Sequence, residues 1–377
     1  MTVTTLPRST SAKLHPDPGQ SYTLPAHFYT DPEIFARERE AIHFRSWQYA
    51  GPAGELAEAG DYITCAVLDQ DIFVIRGKDG ALRAFYNVCQ HRAHKLLEDS
   101  GRKKVITCPY HAWSYHATGE LRSARGAEKV AGFDKAEFCL KQVRVEEFCN
   151  LVFVNLDPQA PSLAGQSGDL AAEVVQHVPA LGQLKKAATQ TWTIRANWKT
   201  IVDNFLECYH CEPAHPAFVK LVDIKSYRSV THGIYSTHSS RGGKPDNPAY
   251  SFMPEDASQE AVFWYLWPMM TFNVTPGPAN FTLFYLQPLD ADHTLEVVEY
   301  YYLDGVVGAA EQARIDYAND ILMVEDNNLC EAVQKGLHSR GYDRGRFIVD
   351  AERSQNSEHA VHHFHTLVEA ALEGSPA

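Results

Sequence analysis

The sequence lacks the features that would place this chain in a membrane or on nucleic acid. It has no run of about 18 apolar residues, so we expect no transmembrane helix and no membrane partner. Its net charge is −13, and a nucleic-acid-binding face would need clustered basic residues to offset phosphate charge. The one short basic run, Arg102-Lys103-Lys104, is typical of a solvated loop or of a docking patch for an acidic redox partner.

Targeting signals and a disulfide framework are also absent from the sequence. The segment from Met1 to Ser21 is rich in Thr, Ser and Pro and has no apolar core followed by small residues, so it does not resemble a signal peptide. The 8 cysteines follow no regular spacing, which is typical of a reducing compartment. We therefore expect a loose N-terminal tail and a cytoplasmic protein.

Four residues in the first third of the chain form a metal-ligand pattern. Cys89-x-His91 is followed by sixteen residues and then by Cys108-x-x-His111. This pattern predicts a Rieske [2Fe–2S] cluster, in which two thiolates hold one iron and two imidazoles hold the other, and the imidazoles raise the reduction potential. A structural zinc site uses the same residue types, but zinc fingers place a pair of cysteines before a pair of histidines.

A one-electron centre implies an external source of electrons. The chain has no Gly-x-Gly-x-x-Gly that follows a strand and opens a helix, and no Walker-type loop. The absence of these two motifs predicts that the chain has no nicotinamide or flavin site of its own. We expect a separate reductase.

The patterns of strands and helices predict an α+β protein of two domains. Short strand patterns surround both metal loops and predict a small all-β domain over residues 45–155. A second domain, over 156–377, is expected to be α+β, with a central antiparallel sheet flanked by helices. Residues 1–44 would form a tail and a helix that packs with the second domain, and the helix would start at Thr30-Asp31-Pro32-Glu33.

A helical pattern over 196–211 carries the candidate catalytic residues of the second domain. Asp203, Glu207 and His210 have the spacing i, i+4 and i+7 and would share one face of that helix. We take Asp203, Asn204 and Glu207 as candidate catalytic residues.

Two histidines at the end of this helix predict a second metal site. His210 and His215 are five residues apart and would diverge by about 140° on an ideal helix. Pro213 should break the helix and let His215 return beside His210. Two imidazoles and one carboxylate make a facial triad, a ligand set that suits non-haem iron(II).

The third ligand of that site must come from elsewhere in the chain. Asp326 is the best candidate, and Asp320 and Glu325 remain alternatives. The pair Cys208-x-x-Cys211 could be a dithiol or a zinc pair, but no second cysteine pair lies near it. We expect these two cysteines to be buried free thiols.

Taken together, the motifs resemble those of the α-subunits of Rieske non-haem iron oxygenases over nearly the whole chain. Three segments and a short C-terminal motif are most similar to the carnitine monooxygenase group, which oxidises trimethylammonium compounds. They are Val105 to Trp113, Asn204 to Cys211, Glu325 to Tyr342, and Ser357-Glu358-His359.

The resemblance implies a role for each candidate ligand. Cys89, His91, Cys108 and His111 would hold one [2Fe–2S] cluster per subunit, and His210, His215 and Asp326 would hold one mononuclear Fe(2+). Glu207 would bridge by hydrogen bonds between the iron-side histidine of one subunit and a cluster histidine of its neighbour.

The resemblance also implies partners and an assembly. The partners would be dioxygen, a small-molecule substrate and an NAD(P)H-dependent flavin/iron–sulfur reductase. The assembly would be a homotrimer, and the resemblance leaves open whether a β-subunit exists.

The implied reaction is oxygenation of a quaternary ammonium compound similar to carnitine, betaine or choline, by hydroxylation, demethylation or cleavage. Aromatic faces can bind such a cation, and the segment from Phe263 to Trp267 offers candidates, together with Phe272, Phe281, Phe284 and Tyr285. From these we select Trp264, Tyr265, Trp267, Phe272 and Phe284 as candidate substrate residues. A ring-hydroxylating oxygenase that acts on an aromatic compound is the main alternative, and the same aromatic residues would then form an apolar pocket. A pure electron carrier is a third possibility, but the predicted second metal site argues against it.

The sequence departs from the resemblance in two regions. Gln90 and Ala93 stand where close relatives have Pro and Gly, which affects the rigidity of the first cluster loop and the cluster potential. The region from Thr231 to Ser258, which would wall the substrate pocket, matches poorly.

Overall fold

The computed structural model describes residues 13–374, so residues 1–12 of the predicted N-terminal tail lie outside the described residues. The chain divides into two compact units. The smaller unit is His43–Gly165, and the larger one joins the segment up to Ile42 with the chain from Gln166 onward. Residues 156–165 therefore belong to the smaller unit, in which the Trp47 Nε1 donates a hydrogen bond to the Pro161 carbonyl at 3.0 Å.

The smaller unit is built from antiparallel strands, as the alternating apolar pattern predicts. Seven strands form one sheet in the order β1-β10-β9-β4-β3-β2-β5, and β6-β7-β8 form a second, small sheet. The strands are Gln48–Pro52 (β1), Asp61–Val67 (β2), Gln70–Arg76 (β3), Leu82–Tyr86 (β4), Ser100–Arg102 (β5), Ile106–Thr107 (β6), Ser114–Tyr115 (β7), Leu121–Ser123 (β8), Gln142–Phe148 (β9) and Leu151–Asn155 (β10). The segment with Cys89 follows β4, and the segment with Cys108 connects β6 to β7.

The larger unit contains one seven-stranded antiparallel sheet, and helices flank the strands in sequence. The strand order is β11-β17-β16-β15-β14-β13-β12, so β12 to β17 form a meander and β11 pairs with β17. The strands are Lys185–Ile194 (β11), Arg228–His232 (β12), Tyr235–Arg241 (β13), Glu260–Leu266 (β14), Met270–Val274 (β15), Asn280–Pro288 (β16) and Thr294–Tyr302 (β17). The predicted α+β class, with an all-β unit and an antiparallel sheet in the second unit, is confirmed.

The α-helices vary from one turn to fifteen residues. They are His27–Thr30 (α1), Pro32–Glu38 (α2), Leu163–Gln166 (α3), Leu170–His177 (α4), Trp198–Phe205 (α5), Cys211–Ala214 (α6), Pro216–Val219 (α7), Ala309–Tyr317 (α8), Met323–Leu337 (α9) and His359–Leu372 (α10). A π-helical turn, Ala318–Leu322, joins α8 to α9, so residues 309–337 form one long helical segment with one irregular turn. Within residues 13–374, no helix combines the length and the apolar character needed to cross a bilayer.

The N-terminal helix α2 forms where its capping residues predict and is fixed to α5. The Asp31 carboxylate caps α2 by accepting from the Glu33 amide at 2.9 Å. At the other end of α2, Glu38 accepts a hydrogen bond from the Trp198 Nε1 at 2.9 Å and pairs with the Lys199 Nζ at 2.6 Å. The Lys199 and Glu38 side chains are both 0% exposed, so this ion pair is fully desolvated.

The helix predicted over 196–211 is shorter in the structure. It ends at Phe205, and a turn precedes α6. One reason is that Glu207 Oε2 accepts from the His210 backbone amide at 3.1 Å, which replaces a helical hydrogen bond with a local one. Asp203, Glu207 and His210 therefore do not share a helix face, which corrects the prediction. Asp203 accepts instead from the Tyr29 hydroxyl at 2.6 Å and contacts His365 Nε2 at 2.9 Å.

Candidate metal centres and substrate cavity

The two cysteine–histidine loops of the smaller unit repeat one backbone geometry. The Cys89 carbonyl accepts from the Ala93 amide at 3.0 Å, and the Cys108 carbonyl accepts from the Ala112 amide at 3.1 Å. Ala93 and Ala112 both have positive φ angles, of 55° and 59°. A left-handed conformation costs a residue with a Cβ about 1–2 kcal/mol, so each loop holds strain that glycine would relieve.

The four predicted cluster ligands lie on these loops with the thiols inside. Cys89 and Cys108 are buried, whereas His91 is exposed and His111 is partly exposed. The two imidazole rings lie 4.7 Å apart between centroids, and His91 stacks on Trp113 at 4.7 Å with an interplanar angle of 8°. This donor set, with paired thiols on the inner side and paired imidazoles on the outer side, fits a Rieske cluster.

The electrostatics of the two thiols also favour a bound cation. Burial raises the pKa of the Cys89 thiol, and the neighbouring Cys108 adds to that rise, while the Tyr115 hydroxyl lowers it. The Tyr115 hydroxyl lies 3.3 Å from Cys89 Sγ and also accepts from the Gln90 amide at 3.0 Å. Two adjacent buried thiolates repel each other, and iron would remove that cost.

The second site brings together three of the predicted ligands in the larger unit. His210 precedes α6, His215 lies between α6 and α7, and Asp326 lies in the first turn of α9. Their ligand atoms all lie within 4.8 Å of one another. His215 Nε2 is 3.0 Å from Asp326 Oδ2, and His210 Nε2 is 3.7 Å from Asp326 Oδ1.

Both histidines of this site are oriented by a second carboxylate. His210 Nδ1 lies 2.6 Å from Glu207 Oε1, and His215 Nδ1 forms a short hydrogen bond with Glu325. An Nδ1–H donated to a carboxylate leaves the Nε2 lone pair free for a metal, and this arrangement is common around metal-bound histidines. Both Nε2 atoms face Asp326, as a shared metal ion requires.

The carboxylates differ in a way that favours Asp326 as the third ligand. Asp326 Oδ1 is buried and accepts no hydrogen bond from the described part of the chain, so a metal ion would satisfy it. Glu325 is already engaged with the Nδ1 of His215, and Asp320 is exposed. The sequence alone left these three residues open.

Negative charge exceeds positive charge around this site. Burial opposes protonation of His210 and His215, but the adjacent carboxylates outweigh it and raise the pKa of both rings. Burial, assisted by the charge of Asp326, raises the pKa of Glu296 to about 8. A divalent cation would neutralise this excess, so the residues fit a mononuclear iron.

Cys208 and Cys211 flank His210 and are paired as a disulfide, so the prediction of free thiols is wrong. Their Cα atoms are 4.9 Å apart, within the range that a disulfide spans. The early end of α5 brings them together, since they lie on either side of the start of α6 rather than within one helix.

A cavity of about 200 Å³ opens beside the three candidate iron ligands. One water needs about 10–15 Å³ measured in the same way, so the cavity can hold an organic molecule. Asn204 and Glu207 line it, whereas Asp203 does not, so the structure does not support Asp203 as a catalytic residue. The lining is mostly apolar and includes eight aromatic rings: Phe205, Phe218, Tyr227, Tyr250, Phe263, Phe284, Tyr300 and Tyr317.

Only one of the five predicted substrate residues, Phe284, lines the cavity. Trp264, Tyr265, Trp267 and Phe272 are buried elsewhere in the larger unit, which corrects the prediction. Trp264 Nε1 donates to Glu173 at 3.0 Å, and the Tyr265 hydroxyl donates to the Pro268 carbonyl at 2.7 Å.

Strand alternation explains part of this error. Successive side chains of a strand point to opposite faces, so Phe263 of β14 lines the cavity while Trp264 does not. The two-residue period of a strand, applied to the sequence of β14, would have assigned Phe263 and Trp264 to opposite faces of the sheet. Phe205 was missed because only the polar residues of its helix were considered, and Phe218 stacks on His215 at 5.7 Å between ring centroids.

Comparison with known proteins identifies the family. The Rieske [2Fe-2S] domain model matches residues 46–134, and the model for the ring hydroxylating alpha subunit (catalytic domain) matches 181–374. The carnitine monooxygenase oxygenase subunit of Escherichia coli (strain K12) is 42% identical, over 93% of this chain and 94% of that protein. The chain belongs to the Rieske non-haem iron oxygenase α-subunits. This confirms the predicted oxygenase class and both cofactors, a [2Fe–2S] cluster and a mononuclear iron.

Two further relatives of this oxygenase show the breadth of the similarity. The chloroplastic choline monooxygenase of Arabidopsis thaliana is 30% identical, over 93% of this chain and 83% of that protein. The crystal structure of a quaternary ammonium Rieske monooxygenase in complex with its substrate L-carnitine superposes with a TM-score of 0.85. It is 39% identical and covers 94% of this chain and 97% of that one.

Proposed function

We propose that this oxygenase is the terminal component of a monooxygenase that oxidises a quaternary ammonium compound. Electrons would come from a separate NAD(P)H-dependent flavin/iron–sulfur reductase, and dioxygen would be the oxidant. The observation that carries the proposal is a cavity lined by aromatic rings beside the candidate iron ligands. Relatives named for carnitine and choline oxidation support it.

The chemistry of the substrate matches this lining. A quaternary ammonium group has no N–H to donate, so hydrogen bonds cannot hold it. Aromatic faces attract it by about 0.5–2 kcal/mol each. Phe205, Phe218, Phe263 and Phe284 are the candidate rings, because they line the cavity and carry no polar group that needs another partner.

Seven residues would hold the two cofactors. Cys89, His91, Cys108 and His111 would ligate the cluster, and His210, His215 and Asp326 would ligate the iron. When bound, the cluster supplies single electrons and the iron supplies the activation of dioxygen.

The remaining residues of the site act on these ligands and on water. Glu207 and Glu325 hold the Nδ1 protons of His210 and His215, which keeps each Nε2 directed at the metal position. The apolar lining of the cavity excludes bulk water from the position where a C–H bond would be attacked.

We further propose that the oxygenase works as a homotrimer. The imidazole of His91, one of the proposed cluster ligands, is exposed, so an electron can leave the smaller unit at this residue. Glu207 contacts His210 and would reach a cluster histidine of a neighbouring subunit by a second hydrogen bond. The E207Q variant tests this role, because glutamine keeps a carbonyl oxygen that can accept from His210 Nδ1 and removes the charge of the proposed bridge. Turnover per bound iron should fall strongly while the cluster is retained, and wild-type turnover per bound iron would contradict the role.

Product formation tests the proposed function directly. The protein would be loaded with iron and supplied with a surrogate reductase, NADH and dioxygen, and products would be identified by mass spectrometry. The substrates would be γ-butyrobetaine, carnitine, choline, glycine betaine and a set of aromatic acids. Oxygenated or cleaved products from quaternary amines would support the proposal. Products from the aromatic acids alone would refute it and favour the ring-hydroxylating alternative.

A further inference from the structure

Arg314 of α8 is a cation without a carboxylate partner in the lining of the cavity. It is the one Arg or Lys among the described residues that line it. The Nη1 donates to Thr275 Oγ1 at 3.0 Å and the Nη2 to the Pro276 carbonyl at 3.4 Å, while the guanidinium lies 5.2 Å from the centroid of the Tyr250 ring. These two hydrogen bonds use only part of the five N–H donors of a guanidinium.

The acidic groups that influence Arg314 are engaged elsewhere. Glu311 and Asp256 attract it only at longer range, without a hydrogen bond. Glu311 accepts from the Gly308 amide at 3.1 Å, and Asp256 accepts from the Met253 amide at 2.7 Å. Burial lowers the pKa of Arg314 despite this attraction, because its charge is poorly solvated. A desolvated guanidinium with free donors is a good site for a carboxylate, which it can bind with two parallel hydrogen bonds.

The cavity therefore offers different groups to the two charges of a zwitterion. Phe218 stacks on His215 and packs against Phe263, so aromatic faces lie beside the candidate iron ligands, whereas Arg314 supplies positive charge beside Thr275. We propose that Arg314 binds the carboxylate of a substrate that carries both a quaternary ammonium group and a carboxylate. This inference rests on the proposed function and narrows its substrate class to zwitterions, with the ammonium group beside the iron.

The helix geometry bears on the length of this substrate. Arg314 and Asp326 lie on one continuous helical path, α8, the π-helical turn and α9. They are twelve residues apart, and the rise of an α-helix would separate their Cα atoms by at most about 18 Å, since part of the path is the π-helical turn. Their side chains fill part of that span, and the substrate must fill the rest. A chain of several carbons between the two charges fits better than the single carbon of glycine betaine.

A purely structural role for Arg314 is the alternative, since its hydrogen bonds connect α8 to the segment after β15. The test compares γ-butyrobetaine with its methyl ester, which keeps the ammonium group and removes the negative charge. The wild-type protein should favour the acid over the ester in kcat/KM by about 10- to 100-fold, as expected for charge-assisted hydrogen bonds. This comparison needs no variant, so it does not depend on whether a variant folds.

Substitution of Arg314 gives the second arm of the test. R314Q should lower kcat/KM for γ-butyrobetaine by about 10- to 100-fold, mainly by raising KM. The kcat/KM values for the ester and for choline should stay unchanged. R314K should be intermediate, because lysine keeps the charge and loses the planar fork. R340Q is the matched control, because it removes the same charge at an exposed position outside the cavity lining. Iron and cluster content of each variant would show whether the fold is retained.

The outcomes separate this inference from the proposed function. Equal losses of R314Q on acid, ester and choline would overturn the inference and leave the proposed function intact. So would a wild-type protein that oxidises choline or the ester as well as γ-butyrobetaine. Failure of the wild-type protein to oxidise any quaternary amine would refute both.

Discussion

Removal of the Glu325 carboxylate should weaken iron binding although Glu325 is not a ligand in the proposed site. In the structure this carboxylate accepts from His215 Nδ1, which directs Nε2 at the metal position. Loss of such an outer partner typically costs 10- to 100-fold in metal affinity. We therefore expect E325A to raise the dissociation constant of iron about 10- to 100-fold, or about 1.4–2.7 kcal/mol.

A graded set of variants separates the hydrogen bond from other effects of the substitution. E325Q keeps a carbonyl oxygen that can accept from His215, so its loss should be smaller than that of E325A. D326A removes the proposed ligand and should abolish stable iron binding. D320A is the matched control, because Asp320 is an exposed carboxylate on the π-helical turn just before α9, and its affinity should equal that of the wild-type protein.

The assay is an anaerobic titration of Fe(2+) against a competing chelator, in protein whose cluster is intact. The visible absorbance of the [2Fe–2S] cluster reports the folded smaller unit, so iron bound at the second site is counted per intact cluster. Loss of iron in D320A with retention in D326A would refute the proposed ligand set. Wild-type affinity in E325A would refute the role given to the outer carboxylate.

Three further predictions concern stability. K199M should lower the free energy of unfolding of the larger unit by about 3–5 kcal/mol, because Glu38 is left buried without its charged partner. Urea unfolding should show this loss, and the double variant K199M/E38M should largely remove it. A wild-type unfolding midpoint in K199M would contradict this prediction. G119A should lower the free energy of unfolding by about 1–3 kcal/mol, because Gly119 has a φ of +89° and a Cβ there would overlap the Phe85 ring. The loss should appear as a lower melting temperature. A93G should stabilise the first cluster loop by about 1 kcal/mol, since glycine relieves the positive φ. Thermal loss of cluster absorbance measures it, and no gain would mean that the loop is not strained.

Local patterns in the sequence predicted most of the candidate metal ligands. The choice of the third iron ligand, which the sequence left open, depends on long-range packing. The four candidate cluster ligands lie in two short loops, and His210 and His215 are five residues apart, so short-range spacing could predict them as ligands. The choice among Asp320, Glu325 and Asp326 depends on how α9 faces α6, which no local pattern records.

The errors have the same origin. The helix over 196–211 had the right periodicity, but Glu207 forms a local hydrogen bond that ends it early and brings Cys208 and Cys211 together. The aromatic residues of β14 were identified as a group, although a strand presents only alternate side chains to one face. Phe263 therefore lines the cavity, whereas Trp264 contacts Glu173.

The division of the chain into units has a consequence for its synthesis. The segment up to Ile42 belongs with residues after Gln166, so the smaller unit is inserted between two parts of the larger one. Glu38 emerges from the ribosome before Trp198 and Lys199, its partners, and at 5–20 residues per second the delay is roughly 10–30 s. During that interval all residues of the smaller unit have been synthesised, whereas Glu38 of α2 still lacks its partner Lys199. We therefore expect the candidate cluster ligands to be complete before the candidate iron ligands, since His210, His215 and Asp326 are synthesised later.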